Sequence, residues 1–201
     1  EIKDTIDFAC SLNLDRANFT KATPLPGTEL YNMWIELYGK DNDTLEGKVG
    51  ELLRENNLTL AVAESCTGGL IGHRLTQTPG SSDYFLEGVV SYSNESKSSR
   101  LGINSTLIRD NGAVSEKVAL AMAEGIRKSS DADIGLSVTG VAGPGASNDK
   151  PSGTVFIAIN DKKRSHCEHF RFYNDRSQNK ARSAQAAFEL VRRWLKNLKT
   201  K

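Results

Sequence analysis

The stretch Leu58-Thr-Leu-Ala-Val-Ala-Glu-Ser-Cys-Thr-Gly-Gly-Leu-Ile-Gly72 decides the fold of this chain. Leu58, Leu60 and Val62, set among small residues, predict a short buried strand. Glu64 to Thr67 is a knot of polar side chains where the strand ends. Gly68 and Gly69 let the backbone turn without a Cβ clash. Leu70, Ile71, Arg74 and Leu75 then follow a helical period. In α/β proteins ligands sit outside the carboxyl ends of strands, where such corners are made. Hydroxyls at a helix start hold an anion or stand ready for attack.

Working outward, the pattern repeats. Residues 84–92 read as a second strand, and 93–101 as a helix. Residues 103–112 read as a loop with a helical turn, closed by Asn-Gly. Ser115 caps the next helix, and 134–138 is a strand ending in Thr139-Gly-Val-Ala-Gly-Pro-Gly145. Residues 154–159 form a strand, a charged turn follows, and 168–173 form its hairpin partner. Asp175 opens a long last helix with Ala184, Ala187, Leu190, Val191 and Leu195 on one side. Upstream, Thr44 caps a helix whose apolar side is Leu45, Val49, Leu52 and Leu53. Alternating helices and strands, then two successive strands, predict an α/β fold: a three-layer α/β/α domain with a mixed, mostly parallel sheet. Residues 44–201 make that domain, and residues 1–43 make an appendage ending in a charged linker.

Composition narrows the function classes. Of 201 residues 38% are apolar, enough for a core. Lys and Arg number 26 against 25 Asp and Glu, so the chain lacks the basic excess of a nucleic-acid binder. No apolar run approaches the roughly 20 residues of a membrane span. No signal peptide is visible, although the chain begins at Glu1 and a lost leader stays open. Cys10, Cys66 and Cys167 have neither metal spacing nor a disulfide pattern, which suits a cytoplasmic protein.

Three polar clusters fall just after strands: Glu64 to Thr67, Tyr92 to Glu95 with Lys97, and Thr139-Gly140. If their strands are parallel neighbours, the corners share one rim. A rim with hydroxyls, one lysine and no histidine points to a Ser or Thr nucleophile activated by lysine. Lysine serves as a base only when burial or a neighbour lowers its pKa. The structural alternative is that Ser65 and Thr67 cap a helix, as such residues do widely. Ser-x-x-Lys is uninformative, since Ser147–Lys150 and Ser177–Lys180 both match it. Gly140 to Gly145 offers backbone N–H groups to a phosphate or is only a turn, and it is neither a Walker loop nor a dinucleotide fingerprint. Asp175-Arg176 orients a phosphate or caps a helix, and Arg182 is a further cation. His166-Cys-Glu-His169 alternates faces on a strand and reads as an exposed hairpin, not a metal site. Trp34 and Trp194 read as packing residues.

Five runs taken in order carry a resemblance: Ala63-Glu-Ser-Cys-Thr-Gly-Gly69, Tyr92-Ser-Asn-Glu-Ser-Lys97, Gly112-Ala-Val-Ser115, Thr139-Gly-Val-Ala-Gly-Pro144 and Lys150-Pro-Ser-Gly-Thr-Val155. Together the chain resembles the C-terminal domain of the competence/damage-inducible protein CinA over about three quarters of its length. The resemblance implies an oligomeric amidohydrolase needing no metal or other cofactor. Its substrate would be nicotinamide mononucleotide, deamidated to nicotinate mononucleotide and ammonia in pyridine-nucleotide recycling. It places Ser65 on the family's nucleophile, Lys97 on its base, Tyr92 on a pocket tyrosine and Thr139 on a pocket threonine. The expected oxyanion donors are the amides of Thr67, Gly68 and Gly69. Asn94, Thr139, Gly140, Gly143, Arg176 and Arg182 are expected around the substrate. Where the family often has Gly-Asp-Arg before the last helix, this chain has Asn174-Asp175-Arg176. Residues 1–40, with Thr23-Pro-Leu-Pro-Gly-Thr-Glu-Leu-Tyr31, resemble the closing segment of some radical S-adenosylmethionine enzyme barrels. The clustered cysteines for an iron–sulfur cluster are absent, so no such activity is carried over. The rival readings are a nucleotide-binding or regulatory module without turnover, and an interaction module that docks a partner through residues 1–40.

Overall fold

The computed structural model describes residues 44–145 and 150–198. The chain divides into two units, Glu1–Asp41 and Asn42–Lys201, and all described residues belong to the second. The radical-enzyme likeness of residues 1–40 lies outside the described residues.

The order is α1 (Leu45–Glu55), β1 (Leu60–Glu64), α2 (Leu70–Thr76), β2 (Phe85–Val90), α3 (Asn94–Leu101), α4 (Ser105–Asn111), α5 (Glu116–Ser129), β3 (Ile134–Gly140), β4 (Thr154–Asn160), β5 (Ser165–Arg171) and α6 (Arg176–Lys196). The sheet runs β2-β1-β3-β4-β5. β2, β1 and β3 are parallel, while β4 is antiparallel to both of its neighbours. This is the α/β fold with a mixed sheet that the element order predicts. Four strands point one way, so β1, β2, β3 and β5 bring their carboxyl ends to one rim, where β4 begins.

Alternation along the strands builds two unlike faces. Leu60 and Val62 of β1, Leu136 and Val138 of β3, and Ile157 and Ile159 of β4 form the large-residue face. It packs on α1, α2 and α6 through Val49, Leu53, Ile71, Leu75, Phe188 and Val191. Ala61, Ala63 and Ala158 lie on the opposite face, against α5. Small residues there let α5 approach closely, and the Ser137 hydroxyl donates to the Ala119 carbonyl at 2.6 Å.

Two element boundaries depart from expectation. Residues 105–111 form a full helix rather than one turn within a loop, because the Asn104 side chain caps it by accepting from the Thr106 amide at 2.9 Å. β5 begins at Ser165 rather than 168. The Asp161 carboxylate accepts from the amides of Lys163 and Arg164, which tightens the turn and starts pairing sooner. Thr44, Ser115 and Asp175 cap their helices as the sequence predicts. Among the described residues no helix is long and apolar enough to cross a membrane.

Candidate active site

The register of the parallel strands brings the first two corners together. Glu64 of β1 lies beside Val90 of β2 on one side and Val138 of β3 on the other. Pairing continues one residue past β1: the Ser65 amide donates to the Val138 carbonyl at 3.0 Å, and the Ser91 amide to the Glu64 carbonyl at 2.8 Å. Ser65 is thereby held on the rim with its side chain almost fully buried.

Glu64 is enclosed and spends its charge on the backbone. Its carboxylate accepts from the amides of Gly69 at 2.9 Å, Ile71 at 3.2 Å and Gly72 at 2.8 Å. These are orphan donors of the first turn of α2, whose N-terminal residue carries no side-chain cap. Gly68 and Gly69 take φ of 63° and 93°, where other residues are strained.

Lys97 comes from the first turn of α3, a helix capped by Ser93, which accepts from the Ser96 amide at 3.0 Å. The cap aims the Lys97 side chain back under the corner. At 1% exposure it is among the most enclosed large side chains of the domain. Its Nζ donates to Ser91 O at 2.8 Å, Tyr92 O at 3.4 Å and Ser65 Oγ at 3.2 Å. Burial lowers its pKa from the ordinary 10.5, with the neighbouring Cys66 opposing. Among the described residues no carboxylate pairs with it, so burial works toward the neutral amine that a base requires. Burial also pushes the Cys66 thiol up to about 12, which keeps that sulfur protonated and out of nucleophilic work.

A cavity of about 410 Å³ opens over this pair. Ser65, Lys97, Tyr92 and Asn94 line one side, and Thr139, Gly140 and Gly143 the other. Arg176, the first residue of α6, closes it: Nη1 donates to Gly143 O at 2.7 Å and Nη2 to Tyr92 Oη at 2.9 Å. The Thr139 hydroxyl donates to Ala113 O at 2.8 Å, pinning the loop before α5 to the wall. A groove of about 460 Å³ lies elsewhere, along α3, α4 and α5. Of its lining only Leu101 and Ile103 are buried, and its Lys128 is paired with Glu124. Its size therefore carries less weight than the buried Ser–Lys pair of the smaller cavity.

Most of the expected residues thus converge, and three expectations change. Gly68 N donates to Ser65 O at 3.1 Å and Gly69 N to Glu64, so neither amide is free to meet an oxyanion. Thr67 is fully buried beneath the turn and does not line the cavity. Cys66 lines the cavity beside Ser65, and its backbone N–H lies against its own thiol. Arg182 is exposed and does not line the cavity either. Six residues along a helix rotate it about 240° from Arg176. Lys180, about 40° from Arg176 by the same count, stands over the turn instead, with Nζ 3.4 Å from where a Gly68 Cβ would sit. The carbonyls of Ser91 and Tyr92, which hold Lys97, had no signal in the sequence because every residue carries a carbonyl. Among the described residues no group of three or more His, Cys, Asp or Glu side chains is arranged to hold a metal.

Comparison with known proteins shows the family and the fold. Residues 42–195 match the CinA C-terminal domain. A CinA-like protein of Syntrophus aciditrophicus is 48% identical over 162 residues, 80% of this chain and 39% of that protein. A putative competence-damage inducible protein of Acetivibrio thermocellus is 38% identical over 196 residues, 97% of this chain and 48% of that protein, so its alignment takes in residues before position 42. The chain thus spans from about two fifths to half the length of these relatives. Among solved structures, a competence-damaged protein (CinA) superfamily protein from Klebsiella pneumoniae superposes with TM-score 0.75 at 29% identity, covering 79% of this chain and 99% of that one. The competence/damage inducible protein CihA from Agrobacterium tumefaciens gives 0.72 at 33% identity, covering 77% and 95%. With the family matched across most of its length and its fold shared with solved members, this chain belongs to the CinA C-terminal domain family.

Proposed function

We propose that the domain is a nicotinamide-nucleotide amidohydrolase, converting nicotinamide mononucleotide and water to nicotinate mononucleotide and ammonia. The observation that carries this reading is the buried 3.2 Å contact between Lys97 Nζ and Ser65 Oγ. A neutral amine keeps two protons, which Ser91 O and Tyr92 O accept. Its lone pair is then left for the Ser65 hydroxyl, reversing the direction of that hydrogen bond.

Lys97 takes the Ser65 proton as Oγ attacks the carboxamide carbon. The amide of Cys66, which lines the cavity beside Ser65, turns from its own thiol to the developing oxyanion, a contribution on the order of 3 kcal/mol. The tetrahedral intermediate collapses by breaking the C–N bond, and the leaving nitrogen takes the proton from Lys97 and departs as ammonia. Water then attacks the Ser65 ester with Lys97 again as base, and the acid is released. Arg176, at the outer end, holds the 5′-phosphate together with backbone N–H groups of the Gly140–Gly145 corner other than that of Val141, which donates to Thr154 O. Tyr92 positions Arg176 through its hydroxyl and Lys97 through its carbonyl.

The test is ammonia release from nicotinamide mononucleotide by the purified protein, with Ser65→Ala and Lys97→Ala compared. Unchanged turnover in either variant removes that residue from the mechanism. Calorimetric binding with no ammonia over hours would favour the rival reading, a nucleotide-binding module without turnover.

A further inference from the structure

Beyond the cavity, the same rim carries an aromatic platform that the reaction above does not use. Tyr173 is 84% exposed. It follows the carboxyl end of β5, on the rim shared with β1, β2 and β3. The Arg171 guanidinium lies over its ring, 5.3 Å from the centroid, and Arg171 is itself exposed.

Two connections tie this pair to the cavity wall. Arg171 Nη1 donates to Thr154 Oγ1 at 3.4 Å, and Thr154 O accepts from the amide of Val141, a cavity residue, at 2.8 Å. In the other direction Tyr173 stands three residues before Arg176, so their Cα atoms are no more than about 11 Å apart. An exposed tyrosine with a guanidinium on one face leaves its other face for a flat ring. The rim therefore carries, besides the Ser65–Lys97 pair and Arg176, an exposed Arg171–Tyr173 pair.

Resting on the amidohydrolase reading, we infer that Arg171 and Tyr173 form an outer subsite for ligands that extend past the first phosphate. The ligand class is a pyridine dinucleotide: its pyrophosphate suits two arginines and its second base suits the free tyrosine face. Stacking of one base on an aromatic side chain is worth roughly 5- to 150-fold in affinity.

The experiment is calorimetric titration of Ser65→Ala, in which ligands stay intact, with nicotinamide mononucleotide and with NAD+. In this background NAD+ is expected to bind more tightly than the mononucleotide by about 5-fold or more. Adding Tyr173→Ala or Arg171→Ala removes that advantage and leaves mononucleotide binding unchanged. NAD+ binding no tighter than the mononucleotide, or an advantage that survives both substitutions, overturns the subsite. Wild-type protein that releases no ammonia from the mononucleotide overturns the reaction instead, and the titrations distinguish the two failures.

Discussion

The two ends of the cavity are built on opposite principles. At the inner end Ser65 and Lys97 are buried, and strand register, backbone carbonyls and the Glu64 clasp around α2 hold them in place. At the outer end Tyr92 and Arg176 are exposed, Tyr92 by 60%, and meet through one hydrogen bond of 2.9 Å. Burial at the inner end lowers the pKa of the lysine and strengthens each interaction made there. The outer end stays wet, which suits capture and release of a charged group. Chemistry is assigned to the dry end and recognition to the wet one, and each assignment can be broken by experiment.

The largest expected effects are at the inner end. Ser65→Ala and Lys97→Ala each lower kcat for ammonia release by about 10³-fold or more, and the double variant is hardly worse than either. Additive losses in the double variant would show that the two residues do not act as one unit. Next comes Arg176→Ala, which raises KM by about 10- to 100-fold with kcat little changed, from loss of charged hydrogen bonds. Nicotinamide riboside, which lacks the phosphate, should feel that substitution little. A drop in kcat without a change in KM would move Arg176 to the chemical end.

A pH profile sharpens the contrast. If neutral Lys97 is the base, kcat/KM rises with pH through a pKa below the ordinary 10.5. Arg176→Ala keeps that limb, while the residual activity of Lys97→Ala loses it. Linkage gives the sign for stability. The unfolded chain binds the Lys97 proton more tightly than the fold does, so this contribution is present above the ordinary value. It is lost as pH falls toward the lowered one, and urea midpoints of wild type and Lys97→Met across that window measure it. The smallest effect is on the support. Glu64→Gln leaves at least one α2 amide without its acceptor and lowers stability by about 1–3 kcal/mol, read from the urea midpoint. A midpoint unchanged from wild type would show that the clasp is dispensable.

Legibility follows how local each cause is. The caps Thr44, Ser115 and Asp175 were readable because each acts on an amide two or three residues away. Asn104 acts the same way, but with little apolar periodicity behind it residues 105–111 read as only a helical turn within a loop. Ser65 and Lys97 were singled out as candidates by residue type and resemblance, whereas their contact depends on β1 and β2 lying side by side. Gly68 and Gly69 were read correctly as a turn and wrongly as free donors, because the engagement of Gly69 comes from a carboxylate folded back from β1. Arg176 and Arg182 looked equivalent in the sequence, and only helix phase against a fixed wall separates them.

By itself the sequence determined the alternation of strands and helices, the polar corners at strand ends and the chemical kinds of side chain gathered there. These rest on periodicity, glycine geometry and capping, all of which act within a few residues. The tertiary structure decided which corner meets which, which amides are already spent, and that one lysine is enclosed with no carboxylate partner among the described residues. Those outcomes depend on packing between segments far apart in the chain, where burial lowers the pKa of an amine below the value its residue type alone gives it.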